Sequence, residues 1–124
     1  MTGRGRLNLA AVIVSLAALG GCAHTQVLHG TRTLYVGLTE YRLLPQSVRV
    51  TAGPLTVFAH NYGRLTHDLV ISRGGQPAAA TTRALWPGQT AEITLTVTPG
   101  TYLMASTILS DQTLGEYGTL RVSR

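Results

Sequence analysis

The residues able to do chemistry are few, and they gather at two places. One is the C-terminal run 101–122, where Ser106, Asp111 and Glu116 stand in a polar loop between two strand-like stretches, 102–104 and 117–122. The other surrounds the turn cluster Asn61-Tyr62-Gly63-Arg64, which His60 precedes and His67 follows. Imidazoles and carboxylates trade protons near neutral pH or ligate metals. If 55–60 and 67–72 paired as a hairpin, His60 and His67 would stand opposite each other on one face. Ser106, His67 and Asp111 are also the residue types of a hydrolytic triad. Nothing marks a strained nucleophile turn or an oxyanion hole, so no catalytic residue and no enzymatic activity is expected. His24 and His29 read as solvated, Met104 as core packing, and Gly74-Gly75 as a turn and not a phosphate loop.

The one cysteine, Cys22, carries a different chemistry. Arg4 and Arg6 make a basic start, an apolar run of 13 residues covers 7–19, and Leu19-Gly20-Gly21-Cys22 follows. Thirteen helical residues span about 20 Å, short of a hydrocarbon core of about 30 Å, so the segment reads as a signal peptide and not a membrane span. Its ending resembles a bacterial lipoprotein box, which implies lipidation of Cys22, an anchor in the cell membrane, and an extracytoplasmic location in the periplasm or at the cell surface. A single cysteine also excludes an intramolecular disulfide. Removal of 1–21 takes the formal charge from +5 to +3, carried by scattered arginines with no lysine. That leaves no nucleic-acid footprint. The expected organisation is 1–21 signal peptide, 22–32 tether without strand periodicity, and 33–124 a single domain.

The elements that position the polar loop are strands. Leu34, Val36 and Leu38 alternate with polar neighbours, Val48 and Val50 make a short strand, and 55–60 is β-branched and aromatic. A fourth strand is expected over 67–72, the run 78–84 could form a helical turn, and Ala91, Ile93, Leu95 and Val97 alternate with polar residues. Gly/Pro turns separate them, among them Leu43-Leu44-Pro45, Trp86-Pro87-Gly88-Gln89 and Thr98-Pro99-Gly100. About seven short strands without an amphipathic helix predict an all-β, antiparallel Greek-key sandwich. An immunoglobulin-like sandwich is the runner-up, but its paired cysteines are absent.

The order Tyr41-Arg42-Leu43-Leu44-Pro45, Val48 to Gly53, Asn61 before His67, Trp86-Pro87-Gly88-Gln89, Pro99-Gly100-Thr101-Tyr102 and Gly118-Thr119-Leu120 resembles the cupredoxins, small sandwiches that carry a blue-copper centre. It is most similar to the cupredoxin-like domains of bacterial exported proteins, including those fused to periplasmic iron-uptake components. In that family a histidine after the Asn-containing turn, a cysteine ending the next-to-last strand, a loop histidine and a methionine hold the metal. The resemblance puts His67 at the first position, Ser106 at the cysteine, Asp111 at the second histidine and Glu116 at the methionine.

A blue-copper site needs a thiolate beside two imidazoles, and a serine hydroxyl does not replace it. The resemblance therefore implies a degenerate copper site, with no cofactor expected, in a lipid-anchored binding or accessory module that meets a partner protein or a small ligand. One alternative is copper or iron handling through His67, Asp111 and Glu116, with His60 as a further candidate, since one imidazole and two carboxylates suit Fe, Mn or Cu(II). A second is an electron-transfer cupredoxin.

Overall fold

The computed structural model describes residues 24–30, 32–109 and 111–124; the signal-peptide reading and Cys22 lie outside the described residues. Ten strands and no helix appear among them: β1 (Thr25–Val27), β2 (Thr33–Thr39), β3 (Arg42–Leu44), β4 (Ser47–Thr51), β5 (Gly53–Asn61), β6 (Val70–Ser72), β7 (Ala78–Thr81), β8 (Thr90–Val97), β9 (Gly100–Ala105) and β10 (Tyr117–Ser123). They form a six-stranded sheet, β1-β4-β10-β9-β6-β7, and a four-stranded sheet, β3-β2-β5-β8.

The two sheets are layers of one sandwich because alternate residues of both enter a single core. Leu34, Val36 and Leu38 of β2 and Leu55, Val57 and Ala59 of β5 meet Val48 and Val50 of β4, Met104 of β9 and Leu120 and Val122 of β10. Period-2 patterning forces this, since one residue in two must share a face, and each large apolar side chain so buried contributes about 1.5–3 kcal/mol. Met104 is core packing, as its alternation implies.

The all-β sandwich stands as the sequence predicts, with differences in detail. The sheets are mixed and not purely antiparallel: β1 with β4, β4 with β10, and β2 with β5 run parallel. Parallel neighbours need a crossover, and the chain supplies it by passing between the sheets. Within the 78–84 run, Ala78–Thr81 forms strand β7 at a sheet edge, paired with β6, and not a helical turn.

The expected tether 22–32 is partly structured. Thr25–Val27 adds to the edge of β4, the Thr25 hydroxyl donates to Ser47 Oγ at 3.1 Å, and the Leu28 N–H reaches the Arg49 carbonyl at 3.0 Å. An open strand edge selects a partner that local periodicity alone does not announce.

The strand expected over 67–72 begins only at Val70. His67 makes an isolated antiparallel bridge to Leu85, its N–H to the Leu85 carbonyl at 3.0 Å and the reverse bond at 2.7 Å.

Candidate functional site

The loops 62–69, 82–89 and 106–116 and the β2–β3 turn meet at one end of the sandwich. Asn61, at the end of β5 and fully buried, stitches two of them together. Its Nδ2 donates to the carbonyls of Leu65 (2.7 Å) and Leu85 (2.8 Å), and its Oδ1 accepts from the Gly63 N–H (2.8 Å). The turn Trp86-Pro87-Gly88-Gln89 closes against it, with the Gly88 N–H on the Asn61 carbonyl. This network, with the Leu85 bridge, sets the imidazole of His67 pointing inward at 0 % exposure.

The β9–β10 loop delivers the other groups. Ser106 follows β9 directly and its N–H bonds the Glu116 carbonyl at 3.1 Å, while the Glu116 N–H bonds the Asp111 carbonyl at 2.9 Å. The loop thus folds back on itself and sets Asp111 and Glu116 beside Ser106. Gly115 takes φ 114°, a left-handed conformation that disfavours a side chain, and a Cβ there would lie 3.1 Å from the Tyr41 carbonyl. Gly118 is equally confined, since a Cβ would stand 2.7 Å from the Gln46 carbonyl. Glycine at both positions lets the end of this hairpin close tightly on the β2–β4 side.

The side chains converge. Asp111 Oδ2 accepts from His67 Nδ1 at 2.9 Å and from Ser106 Oγ at 2.7 Å. A carboxylate can only accept, so Nδ1 carries the proton of the imidazole. Glu116 Oε2 lies 2.9 Å from the same Nδ1 but outside hydrogen-bond geometry, and neither oxygen of this carboxyl has a hydrogen-bond partner. On the other edge of the ring, Nε2 is 3.6 Å from Glu40 Oε1 and makes no hydrogen bond. One atom from each of His67, Asp111 and Glu116 fits within a 4.8 Å span. All three residues are buried.

The electrostatics follow from one base facing several acids. Among the described residues, His67 is the base that stands within 4 Å of carboxyl oxygens, those of Asp111, Glu116 and Glu40. Burial pushes the Glu116 carboxyl up to about 8, and the neighbouring charges of Asp111, Glu40 and Asp68 add to the effect. Glu116 is therefore a neutral acid near pH 7. Glu40 goes the other way, lowered to about 2, because the backbone N–H groups of Leu65 and Arg64 bind its carboxylate.

The resemblance placed His67, Ser106, Asp111 and Glu116 together, and the structure does so. His60 is not among them. It lies on the outward face of β5, its Nδ1 2.6 Å from Thr90 Oγ1 and its ring against Tyr62 at 4.3 Å. The hairpin that would have set it opposite His67 does not form, because β5 and β6 belong to different sheets.

Two acids escaped the sequence reading. Glu40 reaches the cluster from the β2–β3 turn, far away in the chain. Asp68 grips the far side of Ser106, accepting from Thr107 N (2.6 Å) and Thr107 Oγ1 (2.7 Å). The doublets His67-Asp68 and Ser106-Thr107 were the available signal for Asp68; nothing local marked Glu40.

The arrangement limits the chemistry. Hydrogen bonding runs Ser106–Asp111–His67, so the imidazole does not touch the hydroxyl as it would in a triad. A blue-copper centre does not fit the donor set. Among the described residues, the groups that meet around His67 Nδ1 are one hydroxyl and two carboxyls, with no sulfur, and Met104 is buried in the apolar core. What remains possible is storage of protons, or ligation of a hard cation once Glu116 gives up its proton.

No protein-family model matches the sequence, and no curated protein matches it. Solved structures do. Auracyanin from Roseiflexus castenholzii superposes with a TM-score of 0.70 at 23% identity, over 77% of this chain and 100% of that one. Auracyanin A, a "blue" copper protein from Chloroflexus aurantiacus, gives 0.66 at 20% identity, over 78% and 99%. Rusticyanin from Thiobacillus ferrooxidans gives 0.65 at 18%, over 80% and 82%. The chain has the cupredoxin fold.

Proposed function

We propose that this protein is a lipid-anchored, extracytoplasmic cupredoxin-like module that works by binding, and not by passing electrons. The observation that carries the reading is the side chain at the cysteine position. Ser106 is fully buried and already engaged, donating to Asp111, so the place of a thiolate is taken by a group that neither grips a soft ion nor sets a potential. The cluster is held by protons instead: one on His67 Nδ1 and one on Glu116. Above it Tyr41, Leu65, Trp86, Leu109 and Leu114 are exposed on the surrounding loops. Apolar side chains grouped over a rigid scaffold support a contact surface for a partner protein or a small ligand.

A second reading has an observation of its own. Both oxygens of the Glu116 carboxyl are buried without hydrogen-bond partners, beside His67 and Asp111. Such a group suits a hard cation, Cu(II) or iron, that displaces the proton.

Purified protein exposed to Cu(II), Fe(II) and Fe(III), then desalted, separates these readings by elemental analysis and visible absorption. The first expects colourless protein with metal far below one equivalent, the same in His67→Ala. Stoichiometric metal that His67→Ala loses would establish the second reading in its place. An intense visible band with Cu(II) would overturn both in favour of electron transfer.

A further inference from the structure

The pairing of β1 shows at which end of the sandwich it begins. Thr25 pairs in parallel with Ser47, and Ser47 in parallel with Thr119. The beginning of β10 pairs with the end of β9, Tyr117 with Ala105, and beyond that pair stand Ser106 and Glu116. β1 therefore begins at the end that holds the cluster. Cys22 is three residues before Thr25, and an extended chain reaches at most about 3.5 Å per residue, so about 10 Å in all. The sandwich is much longer than that: the nine residues of β5 alone span about 30 Å. An anchor at Cys22 cannot reach round to the far end.

We infer that the cluster end faces the bilayer and rests on anionic phospholipid headgroups. The inference depends on the lipid-anchor reading and names what the exposed loops of that reading meet. Charge and side-chain type agree with it. Arg42 and Arg64 are exposed at this end. Its acids are turned inward or engaged: Glu40 holds the Arg64 and Leu65 N–H groups, Asp68 holds Thr107, and Asp111 and Glu116 are buried. The exposed charged side chains of these loops are thus arginines, and they lie among exposed Tyr41, Leu65, Trp86 and Leu114. Aromatic side chains with arginines are the composition that settles at a headgroup boundary. The far-end loops 73–77 and 98–100 expose no large apolar side chain.

Trp86 is the sole tryptophan of the chain, so the protein carries its own reporter. The full lipidated chain is reconstituted into phosphatidylcholine–phosphatidylglycerol vesicles, with the phosphatidylcholine brominated at shallow acyl positions or left unbrominated. Bromine is expected to reduce Trp86 emission by about twofold, as contact at the boundary requires. The double variant Arg42→Glu/Arg64→Glu is expected to lose most of that quenching. The variant Trp86→Phe/Gly74→Trp moves the reporter to the far end, where a side chain at 74 meets nothing within 4 Å; it is expected to stay unquenched.

Equal quenching of both reporters, or none at Trp86 in a chain whose mass shows the lipid on Cys22, overturns the orientation alone. A chain found without lipid on Cys22 overturns the anchor, and the orientation with it.

Discussion

The two ends of the sandwich both carry charged side chains, and they use them in opposite ways. At the far end Arg32 donates to the Pro54 carbonyl (2.7 Å) and Thr51 Oγ1 (2.9 Å), and Arg73 donates to Thr98 Oγ1 (3.0 Å) and the Pro99 carbonyl. These are half-buried cations on neutral acceptors, individually worth little. At the cluster end one imidazole faces Asp111 and Glu116 inside the protein, with Glu40 on its other edge. There the side chains are dry, coupled and sensitive to one proton. Charge on neutral acceptors clamps a fold cheaply; buried charge makes the fold depend on protonation or on a cation.

The sharpest way to break that comparison is to remove the base. His67→Ala leaves Asp111 and Glu116 buried with no imidazole, and deletion of one partner of a buried pair costs about 3–5 kcal/mol. Urea unfolding at pH 7 measures it. A cost below about 1 kcal/mol would mean that water reaches the cluster and that it is no more than a surface network.

A smaller effect sharpens the same point through pH. The Glu116 carboxyl is raised to about 8 from an ordinary 4.5, so between these values the folded state holds a proton that the unfolded chain has released. Stability from this group is fully present below about 4.5, declines as the pH rises through that window, and is gone above about 8, a swing of at most roughly 5 kcal/mol. Glu116→Gln, which cannot ionise, should remove that part of the slope and leave the variant more stable than the parent at pH 9. Unfolding curves at pH 4, 6, 8 and 9 for both proteins decide it; identical slopes would place the titrating group elsewhere.

How much of this could be read in advance differs between the regions. The strands were legible where alternation was strict: Leu34-Val36-Leu38 and Leu95-Val97 are buried as their period demands. Thr25–Val27 was not, because three residues beside a polar segment carry no pattern and only the open edge of β4 makes them a strand. The parallel pairings were hidden for the same reason, being properties of topology and not of local sequence. In the cluster, the resemblance gave His67, Ser106, Asp111 and Glu116 as a set. It could not give Glu40, whose place depends on how the β2–β3 turn packs on the 62–69 loop, nor the outward turn of His60, decided when β5 and β6 entered different sheets.

The least effect should come from the far end, which makes it the control for the other two. The Arg73 guanidinium lies 4.8 Å from the centroid of the Tyr102 ring, whose hydroxyl accepts the Thr98 N–H at 3.1 Å. It also lies over Gly100, which has φ 138°. A partly exposed cation–π contact is worth about 0.5–1 kcal/mol, so Arg73→Ala should cost no more than that in urea unfolding. The cost should be the same at pH 5 and pH 7, since an arginine keeps its charge throughout and the Thr98 hydroxyl and Pro99 carbonyl do not titrate. Arg73→Lys should recover part of the loss by restoring the charge over the ring without the planar fork. A pH-dependent or multi-kcal/mol cost here would show that the far end also stores coupled charge, and the contrast between the two ends would be one of degree.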